Sequence, residues 1–71
     1  MKQNNMNMLV KCVRMELRQP QSEFASLLGV STPAVSRMET GRQQVSQDVI
    51  EMIEHITYCS VDKLLADYGL V

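Results

Sequence analysis

The sequence has few of the features that mark membrane-bound or secreted proteins. It holds no tryptophan, one phenylalanine and two cysteines among 71 residues, and no run of 18 apolar residues that could cross a bilayer. Residues 1–7 are polar and lack the apolar stretch of a signal peptide, so we expect a cytoplasmic protein with no membrane partner. A chain of this length has room for one core, which predicts a single domain over residues 1–71, with any disorder placed in residues 1–6.

Recognisable arrangements of catalytic and metal-binding residues are also missing. Cys12 and Cys59 are far apart in the chain and lack the spacing of metal ligands, so we interpret them as reduced thiols. The alternative, a disulfide, requires a fold that brings the two side chains together. The sequence contains no Ser–His–Asp, Cys–His or paired-carboxylate pattern and no glycine-rich phosphate loop. We therefore expect no enzymatic activity, no metal and no cofactor.

Charge is almost balanced overall but unevenly distributed. The formal net charge is −1, yet residues 11–42 carry five basic and three acidic side chains, whereas residues 43–71 carry one basic and five acidic ones. A mildly basic front and an acidic back are typical of a protein that faces DNA with one side.

Apolar residues recur at helical spacing along the chain, and no stretch alternates as a strand would. Ser31, Ser46 and Ser60 are suitable N-caps, while Gly29 and Gly41 are suitable helix ends. The predicted helices run from Asn5 to Arg18, from Pro20 to Gly29, from Ser31 to Thr40, and onward from Ser46 and from Ser60 as far as Gly69. The sequence therefore predicts an all-α, five-helix bundle. The core positions that we expect include Leu17 and the methionines Met15, Met38 and Met52.

The segment from Gln21 to Arg42 has the pattern of a helix, a tight glycine turn and a second helix, which is a helix-turn-helix. It closely resembles the XRE family, the group of phage repressors and Cro proteins, whose fold is the lambda-repressor-like DNA-binding domain. The positions that match are Gln21, Ala25, Gly29, Val30, Ser31, Val35, Ser36, Glu39 and Gly41. The resemblance extends over residues 9–69, since Ser60–Leu65 is similar to the opening of the family's fifth helix. It also implies that Arg14 pairs with Glu39 as a structural clamp between the first and third helices.

Two prolines depart from the family pattern. Pro20 stands where the family has a Ser or Thr cap, a loss that costs about 1 kcal/mol at most. Pro33 occupies a position from which the family often reads bases with a polar side chain.

Helical geometry divides the third helix into a core face and a free face. The free face carries Thr32, Pro33, Ser36 and Arg37, which we expect to contact bases in the major groove. The guanidinium of Arg37 matches guanine O6 and N7, and Pro33 offers apolar contact to a thymine methyl.

Residues around this helix are expected to contact the DNA backbone. Gln21 begins the second helix, where the helix dipole favours a phosphate, and the resemblance implies that its amide also orients Thr32. Arg42 and the backbone at Gly41 are placed to meet a phosphate on the other side of the groove. Arg18 and Lys11 are further candidates for phosphate contact.

These features predict a sequence-specific regulator of transcription that binds double-stranded DNA. We expect a repressor that acts as a homodimer on a near-palindromic operator, with Tyr68, Leu70 and Val71 at the dimer interface and no small-molecule effector. The alternative is an antitoxin-like module that uses the same fold to bind another protein, which the acidic pI of about 5.7 favours. A neighbouring toxin-like gene or a tight protein partner would distinguish this alternative.

Overall fold

The part of the chain that the structure describes folds into helices. The computed structural model describes residues 3–71, with side chains from residue 5 onward. Its elements are α1 (Gln3–Glu16), α2 (Gln21–Leu28), α3 (Thr32–Thr40), α4 (Gln47–Thr57) and α5 (Val61–Asp67). No strand occurs among these residues, which confirms the all-α prediction. None of these helices combines the length and apolar content that crossing a membrane requires.

Local capping chemistry fixes most of the helix ends. The hydroxyls of Ser31, Ser46 and Ser60 each accept a hydrogen bond from the amide three residues later, at 3.2–3.3 Å. Gly29 and Gly41 close α2 and α3 in the left-handed conformation, with φ of 74° and 80°. Pro20 precedes α2 in an extended conformation. It makes no side-chain capping bond, because proline has no side-chain hydrogen-bond acceptor.

The first helix differs from the prediction at both ends. It ends at Glu16 rather than Arg18, and Arg18 itself has a φ of 56°. The residue before a proline is disfavoured in the α conformation, so the chain must leave the helix before it reaches Pro20. At the other end the helix already includes Gln3, and Met6 is buried. The expected disorder of residues 1 and 2 lies outside the described residues.

The third helix packs against two other helices. It contacts both α1 and α2, while α2 also contacts α4, and α5 contacts α1 and α4. The innermost side chains, none with exposed surface, are Leu9, Val10, Phe24, Val35 and Ile53. Because α3 packs on two helices, its orientation relative to the rest of the domain is fixed by core contacts.

Three residues predicted to lie in the core do not. Met15 is 59% exposed, Leu17 38% and Met52 36%, so these assignments are wrong. Met15 is two residues, or about 200°, around the helix from buried Val13, and Leu17 lies beyond the end of α1. Val45 is buried in the connection between α3 and α4, where there is no helical periodicity to reveal it.

Tyr58 ends α4 in a conformation that disfavours any side chain. Its φ is 58°, and the residue is 93% exposed, so little packing offsets the backbone strain. Tyr58→Gly is expected to raise the free energy of unfolding by about 1 kcal/mol, because glycine adopts this region without steric cost. Urea unfolding followed by circular dichroism measures the change. Tyr58→Ala keeps the Cβ and should stay close to wild type; a glycine variant no more stable than the alanine variant contradicts this account.

Candidate DNA interface

The turn between α2 and α3 sets the angle between the two helices. The amide of Val30 donates to the carbonyl of Ala25 at 3.0 Å, and that of Gly29 donates to Ser26 at 3.3 Å. This pair of bonds across a left-handed residue is a Schellman motif. A Cβ on Gly29 would meet no atom within 4 Å, so the turn needs glycine for its positive φ rather than for space.

The third helix has the two faces that its periodicity predicts. Ala34, Val35 and Met38 are buried against the rest of the domain. The four residues expected to contact bases lie on the opposite side, where Thr32, Pro33 and Arg37 are exposed and Ser36 is half-buried. This side of α3 is the surface available to a partner.

A network around Glu39 joins α3 to the preceding elements. The Nε atom of Arg14 donates to Oε2 of Glu39 at 2.7 Å, and Nη2 donates to Oε1 at 3.1 Å. The remaining terminal nitrogen, Nη1, donates to the carbonyl of Gln19 at 3.0 Å. The side chain of Arg14 is 17% exposed and that of Glu39 is 5% exposed. The hydrogen bond to Glu39 raises the pKa of Arg14, burial opposes this rise, and the carboxylate charge adds to it.

Gln21 takes part in the same network. Its Nε2 atom donates to Oε1 of Glu39 at 3.2 Å, so the amide is held at the start of α2. Because a side-chain amide carries two N–H groups, one donor remains for a phosphate. The Glu39 carboxylate thus receives three hydrogen bonds and presents no unpaired charge next to the exposed face of α3.

The connection after α3 places Arg42 and restricts Gly41. The amide of Gly41 donates to Met38, and those of Arg42 and Gln43 both donate to the carbonyl of Arg37. These backbone donors are therefore used within the protein, and the exposed guanidinium of Arg42 is the group that can meet a phosphate. Gly41 also lies against α1, since a Cβ there would be 3.0 Å from Nδ2 of Asn7.

The other two basic candidates lie on α1 and at its end. Asn7 and Arg14 both face α3 and its C-terminal turn. Lys11 is four residues after Asn7 and three before Arg14, so helical geometry puts Lys11 on the same side of α1. Arg18 lies in the turn that leads to α2. The side chains of Lys11 and Arg18 are both exposed.

Gln43, which is not among the predicted site residues, contacts Arg37, one of the residues predicted to read bases. Its Oε1 atom accepts a hydrogen bond from Nε of Arg37 at 2.9 Å. The two residues lie on either side of the Gly41 turn, and no helical or strand spacing connects positions six apart across such a turn. The sequence therefore contains no local signal for this contact.

The residues predicted to form a dimer interface differ in exposure. Val71 is 86% exposed, while Tyr68 and Leu70 are partly buried against the core. Burial, with a smaller effect from Glu16, raises the pKa of Tyr68. Tyr68 also lines a groove of about 540 Å³ between the ends of α1, α4 and α5, with Leu17, Ile56 and Leu64 among its apolar walls.

Residues 3–71 contain no cluster of three or more His, Cys, Asp or Glu side chains able to hold a metal ion. Cys12 and Cys59 are both half-buried free thiols.

Comparison with known protein families agrees with this geometry. The family model described as Helix-turn-helix matches residues 14–64. The match covers well over half of the chain and includes the Arg14–Glu39 pair, the turn at Gly29 and the first half of α5. Neither a curated protein nor a solved structure matches the chain significantly. The resemblance inferred from the sequence is confirmed: the chain belongs to the XRE family of helix-turn-helix DNA-binding proteins.

Proposed function

We propose that this DNA-binding regulator is a repressor that binds a near-palindromic operator as a homodimer, with α3 in the major groove. The observation that carries the proposal is the exposed face of α3, which is rigidly backed by core packing and by the Glu39 network. A helix held in this way can present the same side chains to DNA in every binding event, which sequence-specific recognition requires.

The roles along α3 follow from side-chain chemistry. Arg37 contacts guanine O6 and N7 with two N–H groups, and Thr32 and Ser36 exchange hydrogen bonds with base edges. Pro33 has no side-chain donor or acceptor, so it contributes apolar contact to a thymine methyl group. The operator is expected to include a guanine opposite Arg37 and a thymine near the start of the helix.

Backbone contacts position the helix without reading sequence. Gln21 contacts a phosphate on one side of the groove with its remaining N–H group, and Arg42 contacts one on the other side. Lys11 and Arg18 add cations along the same surface. The five acidic residues between positions 43 and 71 all lie in α4 and α5, and these helices face away from the DNA.

Arg42→Ala is expected to weaken binding to every duplex sequence by a similar factor. A protein that loses one phosphate contact releases about one counterion fewer, so the slope of log K against log salt should decrease by about one. Fluorescence anisotropy with a labelled duplex at several salt concentrations measures this slope. Lys63→Ala is the matched control, because it removes the same charge from α5, where Lys63 pairs with Asp67. A slope for Arg42→Ala equal to that of the control excludes the phosphate contact.

A homodimer follows from how little DNA a single α3 can read. Two symmetry-related recognition helices lie about 34 Å apart on successive major grooves, and one copy measures 26 × 24 × 20 Å, so two adjacent copies can span this distance. Tyr68, Leu70 and Val71 form the dimer contact, next to the apolar groove that Tyr68 lines.

Repression results from occupancy of a promoter in the cytoplasm, where a bacterial or phage operator is found. A reporter whose promoter overlaps the bound site should be expressed less when the protein is present. Raised expression would identify an activator instead.

A further inference from the structure

Arg37 and Gln43 are joined by two hydrogen bonds of different kinds. The side-chain bond runs from Nε of Arg37 to Oε1 of Gln43 at 2.9 Å. The backbone bond runs from the amide of Gln43 to the carbonyl of Arg37 at 3.3 Å. The second bond fixes the main chain of Gln43 beside the last turn of α3, so its side chain needs only its own rotamer to reach the guanidinium.

The position of Gln43 is fixed from both sides along the chain. Gly41, with a φ of 80°, turns the chain back over the end of α3 and lies against Asn7. Two residues after Gln43, the side chain of Val45 is buried in the core. The acceptor therefore sits on a short, anchored segment rather than on a free loop.

The bond to Gln43 also determines which donors of Arg37 remain. A guanidinium carries five N–H groups in one plane, one on Nε and four on the terminal nitrogens. Once Nε donates to Gln43, the orientation of the plane is set, and the Nη1 and Nη2 groups are left for a ligand. Two parallel N–H groups at this end fit the O6 and N7 acceptors of a guanine.

We propose that Gln43 is a positioning residue that determines specificity: it holds the guanidinium of Arg37 in the orientation that selects guanine. The inference rests on the proposed function, since it requires α3 to read bases. Gln43 acts through Arg37 and contacts no base itself. Without it, the long arginine side chain samples other rotamers and also reaches phosphates or neighbouring bases.

The test compares base preference at one position of the operator. The wild-type site is first selected from random duplexes, and the position at which Arg37→Ala relaxes the choice is identified. Four duplexes that differ only at that base pair are then titrated with Gln43→Ala, Gln43→Glu and Gln44→Ala. Gln44 is an exposed neighbour and serves as the matched control. Thermal unfolding of each variant checks that the domain is intact.

Gln43→Ala should reduce the preference for the best base pair at this position by about three- to tenfold, the effect of one hydrogen bond, and leave the other positions unchanged. Gln43→Glu keeps the acceptor, so it should retain the preference while binding all four duplexes more weakly. In an Arg37→Ala background, Gln43→Ala should have no further effect at this position.

The inference is overturned if Gln43→Ala keeps the full preference or weakens binding to all four duplexes equally. It is also overturned if Gln43→Glu loses the preference as the alanine variant does. Failure of the proposed function gives a different result: either the wild type selects no site, or Arg37→Ala relaxes no position, and the inference then falls with it. A selected site that Arg37→Ala relaxes and Gln43→Ala does not would refute the role of Gln43 alone.

Discussion

Arg14→Ala is expected to lower the free energy of unfolding by about 3–5 kcal/mol, the cost of leaving a buried charge without its partner. The Glu39 side chain is only 5% exposed, and Arg14 supplies two of the three hydrogen bonds to its carboxylate. A single core of this size contributes about 3–5 kcal/mol in total, so much of the variant should be unfolded at room temperature. Urea unfolding measures the free energy of unfolding, and circular dichroism measures the fraction of the variant that is unfolded at room temperature.

Two further variants separate the ion pair from simple loss of a side chain. Lys11→Ala removes an exposed cation from the same helix and should change stability by no more than about 0.5 kcal/mol. Replacing both members of the pair with methionine should recover most of the loss, since apolar side chains of similar volume often substitute for a buried pair. An Arg14→Ala protein within about 1 kcal/mol of wild type would show that the pair does not hold α1 and α3 together.

Arg37→Ala is expected to weaken binding to the preferred site by about 1–3 kcal/mol, which corresponds to about 5- to 150-fold in affinity. The loss should be concentrated at one base pair, because the bidentate contact that disappears distinguishes guanine from the other bases. Arg37 is exposed, so the stability of the free protein should change little. Anisotropy titrations with the selected duplex and its single-base variants measure the affinity and the discrimination together.

Arg42→Ala serves as the comparison for this variant, since it removes the same side chain from a position expected to contact a phosphate. The two arginines should behave differently, with a selective loss for Arg37 and a uniform loss for Arg42. Equal weakening on all sequences in the Arg37 variant would instead assign that side chain to the DNA backbone.

Much of the fold could be predicted from the sequence because short-range chemistry determines it. A serine cap acts on an amide three residues away, and a left-handed glycine acts on carbonyls of the preceding turn. Each signal lies within one short window of sequence. The helix starts after Ser31, Ser46 and Ser60 and the ends at Gly29 and Gly41 are therefore readable without a structure. The predicted end of α1 at Arg18 is wrong because two local signals disagree there. Helical periodicity favours continuation to Arg18, whereas Pro20 prevents it.

Contacts between distant positions could not be read in the same way. Glu39 lies 25 residues from Arg14, and their pairing was expected because the chain resembles a family, not because spacing revealed it. The bond from Arg37 to Gln43 crosses a turn whose geometry depends on Gly41 and on the packing of Asn7. Burial of Val45 likewise depends on where α4 returns to the core. Such features become visible only once the helices are placed in space.

The most direct test of the account is selection of binding sites from random duplex DNA by the purified protein, repeated at two salt concentrations. A sequence-specific homodimer predicts enrichment of a near-palindrome with half-sites about 34 Å, or one helical turn, apart, and with a guanine that Arg37→Ala no longer selects. The same half-sites should be recovered at both salts, because base contacts depend on salt far less than phosphate contacts do. A folded protein that enriches no sequence at either salt would contradict the account and favour a function directed at a protein partner.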